Sequence, residues 1–416
     1  MPLKLYSTLG HEVREFRTVV PGEVRMYVCG VTPYFVTHLG HAFSYVQFDT
    51  LRRYLEASGY RVKYVQNVTD IDDDMIRVSK QTGRPIAEVR DENIASLRYD
   101  LDRLNVLRPT AYPFATEYIA EMQAATAALV ASGQAYARGT NVFFRARSFP
   151  HYGDLKALGP AQLGKLENPE VVDAEKRDDP LDFHLWQPIR EGDAGAEMVA
   201  GQAPGWESPW GVGRPGWHIE CTAMSMATLG EQIDIHGGGS DLIYPHHTNE
   251  IAQAESVTGK SPFTGYWVHN GMLMKQGEKM AKSKPETLAF ARDVMAVLPP
   301  DQLRMYLLGM QIRANGDYQV GAVEALAERF GRFQAVAAQG PGEEVARTHP
   351  VLRAFHEAMD DDFNAPQALE GLDAAAARVA AGVAETGSAA AVRQALGILG
   401  FAFAGARGPA NGDFAP

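Results

Sequence analysis

The two cysteines of this 416-residue chain, Cys29 and Cys221, each stand in a short segment crowded with reactive side chains. Cys29 lies in Met26-Tyr27-Val28-Cys29-Gly30, upstream of His38-Leu39-Gly40-His41. Cys221 ends Gly216-Trp217-His218-Ile219-Glu220-Cys221, upstream of His246-His247-Thr248-Asn249-Glu250. Thiol, imidazole and carboxylate are common metal donors, so the pairing suggests a metal site assembled from distant parts of the chain. His246 and Glu250 are four apart, a spacing that shares one face of a helix. His38 and His41 fall where a strand turns into a helix, so a helix N-terminus faces phosphate and both imidazoles reach an anion. Gly40 leaves room for a flat base against the backbone. Lys279-Met280-Ala281-Lys282-Ser283 supplies two cations suited to charge developing on a triphosphate. The pattern is that of a nucleotide site beside a metal site.

Two cysteines in so long a chain form no disulfide framework, and a reducing compartment keeps them as thiols for metal ligation, catalysis or plain burial. At 45.4 kDa the chain predicts two or three domains. Hydrophobic residues at 45% and charged residues at 22% are ordinary for a globular protein. No apolar run reaches the roughly 18 residues of a membrane span. The opening Met1-Pro2-Leu3-Lys4-Leu5-Tyr6 goes straight into strand-like alternation, which predicts no signal peptide and a cytoplasmic protein. A formal charge of −12 disfavours a nonspecific nucleic-acid coat but permits a local basic groove.

The elements that must hold these residues are legible in outline. Val24–Val28 alternates as a buried strand, His41–Tyr54 repeats at helical spacing, and Val62–Val68 is a second strand. Thr69-Asp70-Ile71-Asp72-Asp73-Asp74 predicts the cap of a further helix. Strand, helix, strand in this order predicts a doubly wound parallel α/β sheet. The chain reads as helical from about residue 91 to 133 and irregular from 141 to about 205, an insertion between two halves of one nucleotide-binding domain. Ile233-Asp234-Ile235-His236 resumes the sheet, and Gly237-Gly238-Gly239 allows close backbone approach to a ligand. A helix over Asn249–Val257 and a segment Tyr266–His269 follow. Beyond Pro299 the chain is helical, with a disordered tail expected over 401–416.

These blocks resemble the class I aminoacyl-tRNA synthetases, and specifically the cysteinyl-tRNA synthetase family. The resemblance rests on Met26–Gly30 leading to His38-Leu39-Gly40-His41, on Asn67-Val68-Thr69-Asp70-Ile71-Asp72-Asp73, and on Asp182-Phe183-His184-Leu185-Trp186. Gly213–Cys221, His236–Asp241, Pro245-His246-His247 and Lys279–Ser283 complete it, and it runs from about residue 3 to about residue 370. It implies a Rossmann-like catalytic domain of the HIGH/KMSKS type over 1–300, with an insertion at about 91–205, then a C-terminal α-helical domain over 301–400. It implies one zinc ion in the amino-acid pocket, held by Cys29, Cys221, His246 and Glu250. L-cysteine would be activated by ATP with Mg2+ to cysteinyl-adenylate and pyrophosphate. His38 and His41 would hold phosphate oxygens, with Gly40 beside them, and Lys279 and Lys282 would neutralise charge shed toward pyrophosphate. Trp217, His236, Asp241 and Thr69 are the expected substrate contacts. Trp217 would wall the pocket, Asp241 would meet the ammonium or the ribose, and both Trp217 and His236 also read as packing residues.

Ala281 stands where the family usually has serine, and Lys284-Pro285-Glu286 replaces its usual Leu-Gly-Asn, which predicts slower activation and altered loop closure. Residues 355–366 resemble the start of the family's tRNA-binding region, but beyond Gly371 the basic residues are Arg378, Arg393 and Arg407, so weakened anticodon reading is expected. The favoured acceptor is tRNA(Cys). The alternatives are a small amine such as glucosaminyl-inositol, as in the related mycothiol ligase, which Thr32-Pro33-Tyr34 resembles, and a catalytically silent cysteine- or nucleotide-binding paralogue. A monomer is the family expectation.

Overall fold

A computed structural model of the chain describes residues 2–169, 173–280, 284–340 and 344–403. Lys282, with Ala281 and Ser283, lies outside the described residues, as does the expected tail from residue 404 onward. A short hairpin, β1 (Lys4–Ser7) and β2 (Glu12–Glu15), precedes the first core strand, β3 (Glu23–Val31). Helix α1 (Leu39–Ala57) returns to β4 (Arg61–Val68), which pairs parallel with β3. Asp72 caps α2 (Asp73–Thr82) by accepting the Met75 N–H at 2.8 Å, and Gly83 ends it at φ 65.

The helical stretch expected from about 91 to 133 is interrupted. It forms α3 (Ile86–Arg103) and α4 (Ile119–Ala131), separated by a segment carrying Pro109 and Pro113. Proline cannot continue the helical ladder, and this backbone instead adds to the edge of β4, with Gln66 N–H donating to Ala111 O and Val68 N–H to Pro113 O. The region expected to be irregular holds the two middle strands of an antiparallel sheet in the order β5 (Ala135–Arg138), β6 (Asn141–Phe144), β7 (Phe183–Pro188) and β8 (Gly213–Pro215), with the short helix α5 (Pro160–Leu163) between β6 and β7. Strands this short, separated by long loops, give too few alternations for a two-residue period to emerge.

α6 (Trp217–Leu229), β9 (Ile233–Gly239), α7 (Thr248–Thr258) and β10 (Thr264–Asn270) complete the core. Its sheet has the order β10-β9-β3-β4, all parallel, as the strand–helix–strand reading predicted. The faces of β3 separate by parity. Val24, Met26 and Val28 pack with Phe43 and Phe48 of α1, while Tyr27 and Cys29 join the opposite layer with Ile219 and Met224 of α6. Helices therefore cover both faces of the sheet. Gly237 contributes here to packing: a Cβ would lie 2.4 Å from the Phe48 ring, so this glycine brings α1 close.

A small sheet, ordered β12 (Glu278–Lys279), β11 (Leu273–Lys275) and β13 (Gly316–Asp317), follows. The remainder is helical, from α8 (Ala291–Val297) and α9 (Pro300–Leu308) through α10 (Val320–Glu324), α11 (Ala327–Ala337), α12 (Pro350–Asp360) and α13 (Ala365–Ala380) to α14 (Ser388–Ile398). Arg304 of α9 is fully buried and ties this part to α1. It donates to Leu399 O at 2.7 Å, Leu104 O at 2.8 Å and Thr50 Oγ1 at 3.0 Å, and pairs with Asp49. No described helix is long and apolar enough to cross a membrane.

Candidate active site and metal centre

Cys29 near the end of β3, Cys221 in α6, and the irregular turn Ile243–His247 leading into α7 converge on one buried point. The sulfurs of Cys29 and Cys221 are 3.9 Å apart. Two thiolates on a tetrahedral zinc, each at about 2.3 Å, would be about 3.8 Å apart. Nε2 of His246 lies 3.1 Å from Oε1 of Glu250, and Nε2 of His247 lies 3.2 Å from Cys29 Sγ and 3.8 Å from the same oxygen. Donor atoms of Cys29, His246, His247 and Glu250 all fall within 4.8 Å of one another.

The cluster thus holds three of the expected four, Cys29, His246 and Glu250, and has His247 in place of Cys221, whose sulfur lies beside it, 3.9 Å from that of Cys29. Oε1 of Glu250 is buried with no hydrogen bond of normal geometry, although imidazole nitrogens stand close to it. A buried carboxylate oxygen without a hydrogen-bond donor, facing a thiol and imidazoles, has the chemistry to take a cation. The residues fit a soft divalent ion.

Burial opposes the Glu250 carboxylate, but His236 and His246 outweigh it and bring its pKa to about 2. The contact with Cys29 lowers Cys221 to about 6, while burial pushes Cys29 up. Burial holds His247 and His218 well below the usual imidazole value and His269 at about 3. His246 runs the other way: burial lowers it, but Glu250 and Cys221 outweigh burial and hold it well above the usual imidazole value, so a metal at this imidazole would displace a proton.

A second layer orients these donors. His236 Nε2 bonds Glu250 Oε2 at 2.9 Å, and the His236 ring stacks on Trp267 at 4.4 Å. His247 Nδ1 contacts His269 Nε2 at 2.7 Å, and His269 Nδ1 contacts Thr8 Oγ1 at 2.7 Å. Once Cys29 is a thiolate its contact requires a hydrogen on His247 Nε2. His247 Nδ1 then accepts from His269 Nε2, and Thr8 donates to His269 Nδ1. In that state His247 is a donor to Cys29 and cannot offer Nε2 to a metal.

The cluster opens into a cavity of about 1290 Å3 lined by Cys29, His38, Gly40, His41, Trp217, Asp241 and Lys279, among others. His38 caps α1: its Nδ1 accepts the Gly40 N–H at 3.1 Å, and His41 Nδ1 accepts the His38 N–H at 3.3 Å. Each neutral ring therefore carries its hydrogen on Nε2, the tautomer that donates to an anion. Trp217 stacks on His246 with centroids 4.2 Å apart, so the cavity wall and the metal cluster share a contact. Asp241 Oδ2 is 2.6 Å from Lys279 Nζ. Thr69 and His236 are buried and do not line the cavity; Thr69 Oγ1 accepts from Asn67 Nδ2 at 3.3 Å. Gly30 admits no side chain, because a Cβ would overlap the Asn67 carbonyl. Sequence reasoning passed over His247, His269 and Thr8. Histidine on a core strand was the available signal for His269, since burial of an imidazole calls for a partner.

A parallel sheet that divides around an insertion, with a capped histidine pair and a lysine facing one cavity, defines a class I aminoacyl-tRNA synthetase catalytic domain. The solved structures agree on the fold. A Mycobacterium tuberculosis methionyl-tRNA synthetase in complex with methionyl-adenylate is 17% identical with a TM-score of 0.63, covering 91% of this chain and 88% of that one. A LeuRS from Agrobacterium radiobacter K84, in ternary complex with tRNA and LeuAMS, is 11% identical with a TM-score of 0.65, covering 92% and 84%. The model of the tRNA synthetases class I (C) catalytic domain matches residues 15–328. Among curated relatives, a cysteine–tRNA ligase of Delftia acidovorans is 43% identical over 383 residues, spanning 91% of this chain and 80% of its own length. One from Gloeobacter violaceus is 42% identical over 384 residues, spanning 89% and 77%. The chain belongs to the cysteinyl-tRNA synthetase family, whose members are ligases that use ATP and Mg2+.

Proposed function

We propose that this chain is a cysteine–tRNA ligase that recognises its amino acid through zinc held by Cys29, Cys221, His246 and Glu250. Membership of the family supports cysteine, ATP and tRNA as its partners. The observation that carries the metal reading is the unsatisfied Oε1 of Glu250 beside two thiols 3.9 Å apart. Zinc bound there supplies a soft Lewis acid for the substrate sulfur, which serine cannot match.

In the activation step a carboxylate oxygen of cysteine attacks the α-phosphorus of ATP, the bond to the β-phosphate oxygen breaks, and pyrophosphate leaves. His38 and His41 donate from Nε2 to phosphate oxygens, and Lys279 and Lys282 balance the charge that builds toward pyrophosphate. Trp217 closes the amino-acid pocket and Asp241 takes the ammonium or the ribose. Thr69 and His236 act from behind, His236 by holding Glu250. The catalytic domain extends to about residue 300, with the insertion at about 91–205 and a helical domain after it. The working unit is a cytoplasmic monomer.

Cysteine-dependent exchange of pyrophosphate into ATP, followed by charging of tRNA(Cys), tests the proposal. Exchange with tRNA charging supports it. Exchange with ligation only to a small amine such as glucosaminyl-inositol would replace the acceptor, and no exchange by zinc-loaded protein would overturn the activity.

A further inference from the structure

Residues three and four apart on a helix are neighbours, so α6 presents Trp217, Glu220 and Cys221 on one face. Trp217 and Glu220 line the cavity, and Cys221 stands beside the metal cluster, its sulfur 3.9 Å from that of Cys29. Glu220 is only 1% exposed, and among the described residues its Oε2 has no hydrogen-bond partner. The other acidic side chains on the cavity wall are already engaged. Asp241 pairs with Lys279 at 2.6 Å, Asp74 with Arg77 at 2.7 Å, Glu92 with Arg84 at 2.8 Å and Asp73 with Arg190 at 3.2 Å, while Asp72 accepts the Met75 N–H at the start of α2. Among the described residues Glu220 is thus the wall carboxyl left to answer a cation that enters the cavity.

Burial and the neighbouring Cys221, Asp72 and Asp70 push its carboxyl well above the usual carboxylate value, and an opposite charge brought within about 4–6 Å favours the ionised form. Consecutive Cα atoms are about 3.8 Å apart, so Glu220 starts next to Cys221, a proposed zinc ligand. In L-cysteine only the β- and α-carbons separate sulfur from ammonium. A substrate whose sulfur is drawn to that metal therefore brings its ammonium to the same stretch of wall. We infer that Glu220 is the counter-ion of the substrate's α-ammonium, a binding residue that also repels the substrate's carboxylate and so turns it into the cavity that His38 and His41 line. Asp241, paired with Lys279, is left to the ribose. The inference rests on the cysteine activation proposed above and adds the residue that reads the amine.

The test uses the zinc-loaded full chain and measures, by titration calorimetry, its affinity for L-cysteine and for β-mercaptopropionate, which keeps the sulfur and the carboxylate and lacks the amine. Glu220→Gln keeps the shape and removes the charge. Its affinity for L-cysteine is expected to fall roughly tenfold to a hundredfold, while affinity for β-mercaptopropionate holds or rises and bound zinc is unchanged. Glu220→Asp withdraws the charge on a shorter stem and gives the same comparison, with a smaller loss for L-cysteine, if Glu220→Gln folds poorly. An equal loss for both ligands, a loss of zinc, or no change for either ligand would overturn the role of Glu220 alone. A selective loss for L-cysteine in Asp241→Asn, with Glu220→Gln unaffected, would give the ammonium to Asp241 instead. If the unaltered zinc-loaded chain binds neither ligand, the cysteine reading fails and this inference with it.

Discussion

Lys279 Nζ lies 2.6 Å from Asp241 Oδ2, so the first lysine of the Lys279–Ser283 segment is held across the cavity mouth by the strand-end loop after β9. Both side chains are about half exposed. Such a pair is worth about 0–1 kcal/mol, little enough for a triphosphate to displace. Lys279→Met is therefore expected to lower the rate of cysteine-dependent pyrophosphate exchange by roughly 10²- to 10³-fold. Stability should change by less than about 0.5 kcal/mol. Exchange kinetics beside urea unfolding check both halves, and a large stability loss would show that the pair is structural.

The metal cluster predicts a joint loss. Cys221→Ala removes one thiolate from a buried group of donors, so bound zinc should fall from one per chain to near none and cysteine activation should disappear. Glu250→Gln keeps the shape and removes the charge that His236 and His246 hold ionised, and should weaken metal binding in the same direction. Metal analysis of each purified variant is the measurement. Stoichiometric zinc with normal exchange in Cys221→Ala would remove that cysteine from the ligand set.

Arg304 offers a stability test far from the chemistry. Its guanidinium is buried and bonds Leu399 O, Leu104 O and Thr50 Oγ1 besides Asp49. Removing one partner of such a pair leaves the other charged in the interior, so Arg304→Ala should destabilise the fold by about 3–5 kcal/mol. Chemical denaturation gives the figure, and a loss below about 1 kcal/mol would mean that water reaches Asp49.

His184 gives the pH dependence a sign. Burial, with Arg190 and Arg214 nearby, lowers its pKa to about 3 from the ordinary 6.5, and its Nε2 bonds Asn141 Oδ1 at 2.9 Å. The unfolded chain takes up a proton first as pH falls through 6.5, so the stability due to neutral His184 is full above that value and is lost progressively toward pH 3. In His184→Gln the stability curve should be flatter over that window. Equal slopes for the two proteins would show that His184 titrates normally.

The parallel core was legible because β3, α1 and β4 each carry a strong period and follow one another without interruption. The β5–β8 sheet was not, since β8 has three residues and long loops separate β6, β7 and β8. Cys29, Cys221, His246 and Glu250 were legible as donor types with suggestive spacing. His247 and Thr8 were not, because a donor's orientation depends on the hydrogen bond made by its far atom. His269 reaches Thr8 across 261 positions, a relationship no local pattern encodes.

Strand order also bears on how the chain is made. In β10-β9-β3-β4, the strand nearest the middle that emerges first, β3, waits for β9, which begins about two hundred residues later at Ile233. Until then a growing polypeptide presents one side of β3 as a bare row of amides and carbonyls, a template for pairing with another chain. Ribosome stalling or premature termination before Ile233 therefore yields fragments prone to stick to one another, and prompt capture by a chaperone matters most for this interval of synthesis.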